Sequence, residues 1–106
     1  MDVKQLSALA DFDADKLKKQ SVFQTSRFWL DVYCLKTGQA QKPHVHRQAD
    51  KVYVILEGTC RFSIKGEVAA YGPGTAVLAP AGDEHGIENP GPGDARLLVL
   101  IAPPPA

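Results

Sequence analysis

The stretch "GQAQKPHVHRQADKVYVILEG", Gly38 to Gly58, decides how the rest of this chain is read. It sets two of the three histidines, His44 and His46, on alternate residues ahead of a run, Val52 to Leu56, that is apolar at every position. Side chains of a β-strand alternate faces, so histidines two apart aim at one point in space. The apolar run reads as a strand covered on both faces, one by a barrel interior and the other by a second sheet or a partner subunit. Glu57 and Gly58 end it.

Short apolar runs broken by Gly, Pro, Asn and Asp recur on both sides, which is the punctuation of an all-β protein. Upstream, Val22 to Leu35 is rich in β-branched and aromatic residues, with Ser26-Arg27 as a break and Trp29 read as core. Downstream, Cys60 to Ile64 and Glu67 to Tyr71 form a predicted hairpin closed at Lys65-Gly66, where the glycine supplies a positive φ. Thr75 to Ala79, His85 to Glu88 and Ala95 to Ala102 complete the strands, separated by Pro80 and the loop "NPGPGD".

Residues 3 to 19 depart from this pattern. Val3, Leu6, Leu9, Ala10, Phe12 and Leu17 are spaced closer to helical than to alternating periodicity, which predicts one or two short helical turns packed over the sheet. The expected organisation is one domain over 1–106: an N-terminal helical flap at 1–20, a barrel at 21–102 and a tail at 103–106. A chain of 106 residues supports one core and buries about 65% of the surface an unfolded chain exposes.

Charge excludes some partners. Lys plus Arg and Asp plus Glu each count 12, so the chain lacks the basic field that nucleic acid or an anionic membrane requires. The Lys16, Lys18 and Lys19 cluster reads as the solvated face of a short helix. The first residues, "MDVKQLSALADFD", lack a signal-peptide core, and no apolar run approaches the about 20 residues of a membrane span, so a cytoplasmic location is expected. Cys34 and Cys60 sit inside apolar segments and outside any CxxC pair, which points to reduced, buried thiols.

The third histidine, His85, lies in "GTAVLAPAGDEHGIEN", Gly74 to Asn89, after a Pro80-Ala81-Gly82-Asp83 turn that projects it from the rim of a neighbouring strand. Together the two stretches resemble the cupin family. Its first motif, G(x)5HxH(x)3-4E(x)6G, is met by Gly38, His44, His46 and Gly58. Its second, G(x)5PxG(x)2H(x)3N, is met at every position by Gly74, Pro80, Gly82, His85 and Asn89, so nine of ten fixed positions are present.

The resemblance implies a small antiparallel jelly-roll barrel in which His44, His46 and His85 converge on a divalent transition metal. Imidazole serves Fe, Mn, Ni, Cu and Zn, so the ligands do not name the ion. It implies a metal-dependent oxidoreductase, dioxygenase-like in using oxygen to oxidise or cleave a small organic substrate. The alternative is a non-catalytic module of the same fold that holds a small ligand or senses a metal. A homodimer is also implied, and Val52 to Leu56 with Leu97 to Ile101 offer the apolar surface for it.

The unmet position is the glutamate of the first motif. Counting seven back from Gly58 reaches Lys51, whereas the spacing from His46 reaches Asp50. Asp50 shares the face of the two histidines on a regular strand, and Lys51 shares it only if a bulge shifts the register. The family fixes the downstream spacing, which favours Lys51 inward. An ammonium about 4 Å from a divalent ion costs about 8 kcal/mol at an effective dielectric of about 20. Three arrangements avoid that cost: Lys51 turns outward from a bare three-histidine site, Asp50 becomes the fourth ligand, or the ammonium replaces the ion. Tyr53, with the parity of Lys51, reads equally as pocket wall or as core.

Overall fold

A computed structural model describes residues 1–105; Ala106, the end of the expected tail, lies outside the described residues. Among the described residues there are nine strands: β1 (Lys18–Gln24), β2 (Trp29–Leu35), β3 (Ala40–His44), β4 (Asp50–Glu57), β5 (Cys60–Ile64), β6 (Glu67–Tyr71), β7 (Ala76–Ala79), β8 (His85–Glu88) and β9 (Ala95–Ala102). They form a five-stranded sheet in the order β1-β2-β9-β4-β7 and a four-stranded sheet in the order β3-β8-β5-β6. All pairings are antiparallel, and the two sheets face each other across one core, as in a jelly roll. Among the described residues no helix is long and apolar enough to cross a membrane.

Strand β4 shows how the sequence sets the layers. Lys51, Tyr53 and Ile55 point into the core and are buried, while Val52, Val54 and Leu56 alternate outward and stay half-buried. The apolar run is therefore not covered equally on both faces. Inside, Tyr53 and Ile55 pack with Tyr33, Phe62, Leu97 and Val99. Outside, the five-stranded sheet is covered in part by the chain's own N-terminus, where Leu6, Leu9 and Phe12 pack against Val22, Val32 and Cys34.

The helical turns expected over 3–19 reduce to a single 3-10 turn, Leu6–Ala8, with no side-chain cap. Lys18 and Lys19 belong to β1, not to a helix face. The reason is tertiary: Leu6, Leu9 and Phe12 satisfy their apolar spacing as a strap laid on the sheet, and so short a segment has no helical stability of its own. Arg96 clasps the strap, donating to the carbonyls of Leu6 and Leu9 and pairing with Glu57 at 3.8 Å.

The break at Ser26-Arg27 separates β1 from β2, with Thr25 Oγ1 accepting from the Arg27 and Phe28 N–H groups. In the β5–β6 hairpin both Lys65 (φ 51°) and Gly66 (φ 83°) take the left-handed conformation, so the lysine shares the strain assigned to the glycine alone.

Candidate metal centre

His44 and His85 are cross-strand partners, the last pair of the β3–β8 ladder. The next residue of β8 makes that close approach possible: a Cβ on Gly86 would lie 2.9 Å from Pro43 N and 3.0 Å from Gln41 O. His46 lies past the end of β3, in the turn to β4, so strand alternation does not place it. Two hydrogen bonds do. Gly82 N–H donates to the His46 carbonyl at 2.9 Å, and Ala81 N–H donates to Asp50 Oδ1 at 2.9 Å, tying the His46 turn to the turn that carries His85. The ring centroids then stand 4.3 Å (His44–His85), 4.9 Å (His44–His46) and 5.4 Å (His46–His85) apart. One nitrogen from each ring lies within 4.8 Å of the other two.

The hydrogen bonds fix which nitrogens are free. Nδ1 of His44 is 2.9 Å from the Lys42 carbonyl and Nδ1 of His85 is 2.9 Å from the Asp83 carbonyl. A carbonyl only accepts, so each Nδ1 carries the hydrogen and each Nε2 keeps a lone pair. His85 Nε2 is buried with no partner among the described residues. Leaving such an acceptor unpaired costs about 1–3 kcal/mol, which a bound cation removes. Burial pushes the pKa of all three imidazoles below the ordinary value, helped by the Lys51 charge. Neutral imidazole is the ligating form, and backbone carbonyls holding the opposite nitrogen are the usual outer support of a histidine ligand. The donor set thus fits a first-row transition metal, and these three residues can hold one.

The residues considered for the fourth position fall out as follows. Lys51 points inward, 2% exposed, with Nζ held 3.1 Å from Gln41 Oε1 and 5.2 Å from the ring centroids of Tyr33 and Tyr53. It therefore neither turns outward nor bonds His85 Nε2 in an ion's place, and its charge weakens the centre's hold on a cation without filling the site. Burial pushes its pKa down to about 8, the neighbouring Lys19 adding to the effect and Asp31 opposing it. Asp50 is exposed and spends its carboxylate on Ala81 N–H, so it braces the histidine turns and does not enter the centre. Tyr53 is fully buried, packed on Phe62 at 5.3 Å, and belongs to the core beneath Lys51 and not to the pocket wall.

A cavity of about 460 Å³ opens beside His44, His46 and Lys51. A family model for the cupin domain matches residues 31–101. The chain belongs to the cupin family. This cupin is similar to the TT1209 protein of Thermus thermophilus, with a TM-score of 0.94, 46% identity, and coverage of 97% of this chain and 98% of that one. An RmlC-like cupin protein from Desulfovibrio desulfuricans is 28% identical with a TM-score of 0.86, covering 98% of each chain. The mannose-1-phosphate guanylyltransferase ManC of Salmonella typhimurium is 30% identical over 74 residues, which is 70% of this chain and 15% of that protein.

Sequence reading missed the rest of the cupin's cavity wall. Trp29, expected in the core, lines the cavity with Tyr33 and Gln41. The available signal was strand parity: Trp29, Asp31 and Tyr33 are alternate residues of β2 and share the inward face.

Proposed function

We propose that this cupin is a metal-dependent oxidoreductase, dioxygenase-like, that acts on a small anionic organic molecule, with His44, His46 and His85 as the metal ligands. The observation that carries this reading is His85 Nε2, buried, stripped of its proton by the Nδ1 hydrogen bond, and facing two other imidazoles. His44, His46 and His85 would hold the metal and leave coordination positions open, and the metal would supply Lewis acidity toward a substrate oxygen.

The chain's own residues supply the remainder. Lys51, fixed by Gln41 and the two tyrosine faces, sets a positive charge at the inner end of the cavity, where it attracts and orients a carboxylate or an enolate oxygen. The apolar core behind it excludes water and strengthens that attraction. A second reading, a non-catalytic module that holds the same anion, is favoured by Lys51 standing where the family motif has glutamate, since the carboxylate the motif supplies beside the histidines is then missing.

Elemental analysis after loading with Fe, Mn, Ni, Cu or Zn tests the centre. Stoichiometric metal, lost in His85→Ala, is expected, and substoichiometric metal after every loading overturns both metal and reaction. Oxygen consumption with thiols, diketones and phenols separates enzyme from binding module: saturable uptake that His85→Ala abolishes supports the enzyme. We further propose a homodimer formed through the uncovered outer face, where Leu30, Leu100, Val52 and Leu78 are successive cross-strand neighbours. A monomer at micromolar concentration in sizing measurements refutes it. Free, buried Cys34 and Cys60 are in keeping with the reducing cytoplasm as the place of action.

A further inference from the structure

The cavity has a second half that the metal centre does not use. Beyond His44, His46 and Lys51 it is walled by Lys19, Ser21 and Gln24 of β1 and by Trp29 and Asp31 of β2. Ser21 stands opposite Asp31, and Gln24 opposite Trp29, in the β1–β2 ladder. A register shift between Ser21 and Phe23 re-phases β1, so that Gln24, and not Phe23, joins Lys19 and Ser21 on the cavity side. Bulges of this kind beside sites re-aim a side chain at the cost of a ladder bond.

The chemistry of this wall is specific. Two ammonium groups, Lys19 and Lys51, face one carboxylate, Asp31, so the cavity is net positive before any metal enters. That selects an anion. Asp31 is only 8% exposed, and burial raises its pKa against the opposing pull of Lys19, Lys51 and a hydrogen bond from Gln24. With Ser21 and Gln24 it forms a cluster that both donates to and accepts from hydroxyl groups. An unhydroxylated acid would offer buried Asp31 no donor, a loss that a polar site can discriminate, while Ser21 and Gln24 stand exposed at the cavity mouth, where a ligand hydroxyl can replace their water. A two-carbon acid would also leave most of the about 460 Å³ empty. Trp29 adds a flat apolar face with a polar edge, suited to the C–H face of a hydroxylated ring or chain.

Resting on the metal-centre reading, we propose that the ligand is a hydroxylated carboxylic acid of sugar-acid type. Its carboxylate is directed to the histidines and Lys51, and its hydroxyls are read by Asp31, Gln24 and Ser21 against Trp29.

Trp29 is the only tryptophan of the chain, so its fluorescence reports occupancy of this wall directly. Zinc-loaded, dialysed protein is titrated with D-gluconate, D-galacturonate, D-galactose and acetate, and zinc is measured again afterwards. The expected result is saturable binding of at least one sugar acid, about tenfold or more tighter than D-galactose, which lacks the carboxylate, and acetate, which lacks the hydroxyls. Asp31→Asn and Gln24→Ala should bring sugar-acid affinity down to that of acetate while zinc stoichiometry stays unchanged. Acetate binding as tightly as both sugar acids, or a preference that survives both substitutions, overturns the proposal. Protein that holds zinc without such a preference sinks this inference and leaves the metal centre standing. Protein that never holds zinc yet prefers sugar acids sinks the metal centre and supports this wall.

Discussion

Replacing Lys51 by methionine should stabilise the fold. Lys51 is 2% exposed, and burial pushes its pKa from 10.5 down to about 8. At about 1.4 kcal/mol per pH unit, holding the charged form in the fold costs about 3 kcal/mol at neutral pH. Methionine matches the unbranched stem and carries no charge. What it forfeits is the hydrogen bond to Gln41 Oε1, worth about 1 kcal/mol, and the two tyrosine faces, worth about 0.5 kcal/mol each. The net expectation for Lys51→Met is a gain of about 1 kcal/mol at pH 7.

The sign of the pH dependence follows from the lowered pKa. Below pH 8 both folded and unfolded chains carry the charge, and the cost is complete. Between about 8 and 10.5 the folded chain releases its proton first, so this group's penalty fades as pH rises. Cys60, Cys34, Tyr33 and Tyr53 act oppositely, because burial raises their pKa and the unfolded chain ionises first. Those groups are common to both proteins, so the difference between variant and wild type isolates Lys51. Urea unfolding of both chains in EDTA from pH 7 to 10 measures it. The advantage of Lys51→Met should shrink steadily above pH 8. A variant less stable than wild type at pH 7, or a difference flat across the window, refutes the buried-ammonium reasoning.

Gly58 has φ +79°, and a Cβ there would meet Asp94 O at 2.3 Å and Ala95 Cα at 2.8 Å, so Gly58→Ala should lower stability by about 3 kcal/mol or more. An unchanged urea midpoint contradicts that packing. The three imidazoles are held below their ordinary pKa by burial, so the unfolded chain takes up protons first on acidification. Stability of the metal-free protein should be complete above about pH 6.5 and fall toward pH 5, with metal released over the same range. A flat urea midpoint from pH 7 to 5 excludes it. Arg96→Met should release the N-terminal strap, seen as faster amide exchange over residues 5–12 with the core strands unaffected. Unchanged exchange there removes the clasp.

Much of this architecture is carried by local chemistry. Strands β5, β6, β8 and β9 have the bounds that apolar runs and turn residues give them, because alternation and glycine or proline punctuation act within a few residues. The three histidines are legible as a group from motif spacing alone. The Leu6, Leu9 and Phe12 pattern misleads, because a threefold spacing fits a helix and a strap on a sheet alike, and only the underlying surface of Val22, Val32 and Cys34 distinguishes them.

Residue order alone specifies the all-β class, most strand positions and the membership of the histidine cluster. Three-dimensional packing was needed to show that Asp50 braces the turns, that Lys51 enters the core between two tyrosines, and that Trp29 and Asp31 wall a cavity. The difference is one of range. Periodicity and turn preference are properties of neighbouring residues. Which face a strand presents beyond a turn, and what lies against it, depends on register between segments distant in the chain, where one bulge reverses every side chain that follows.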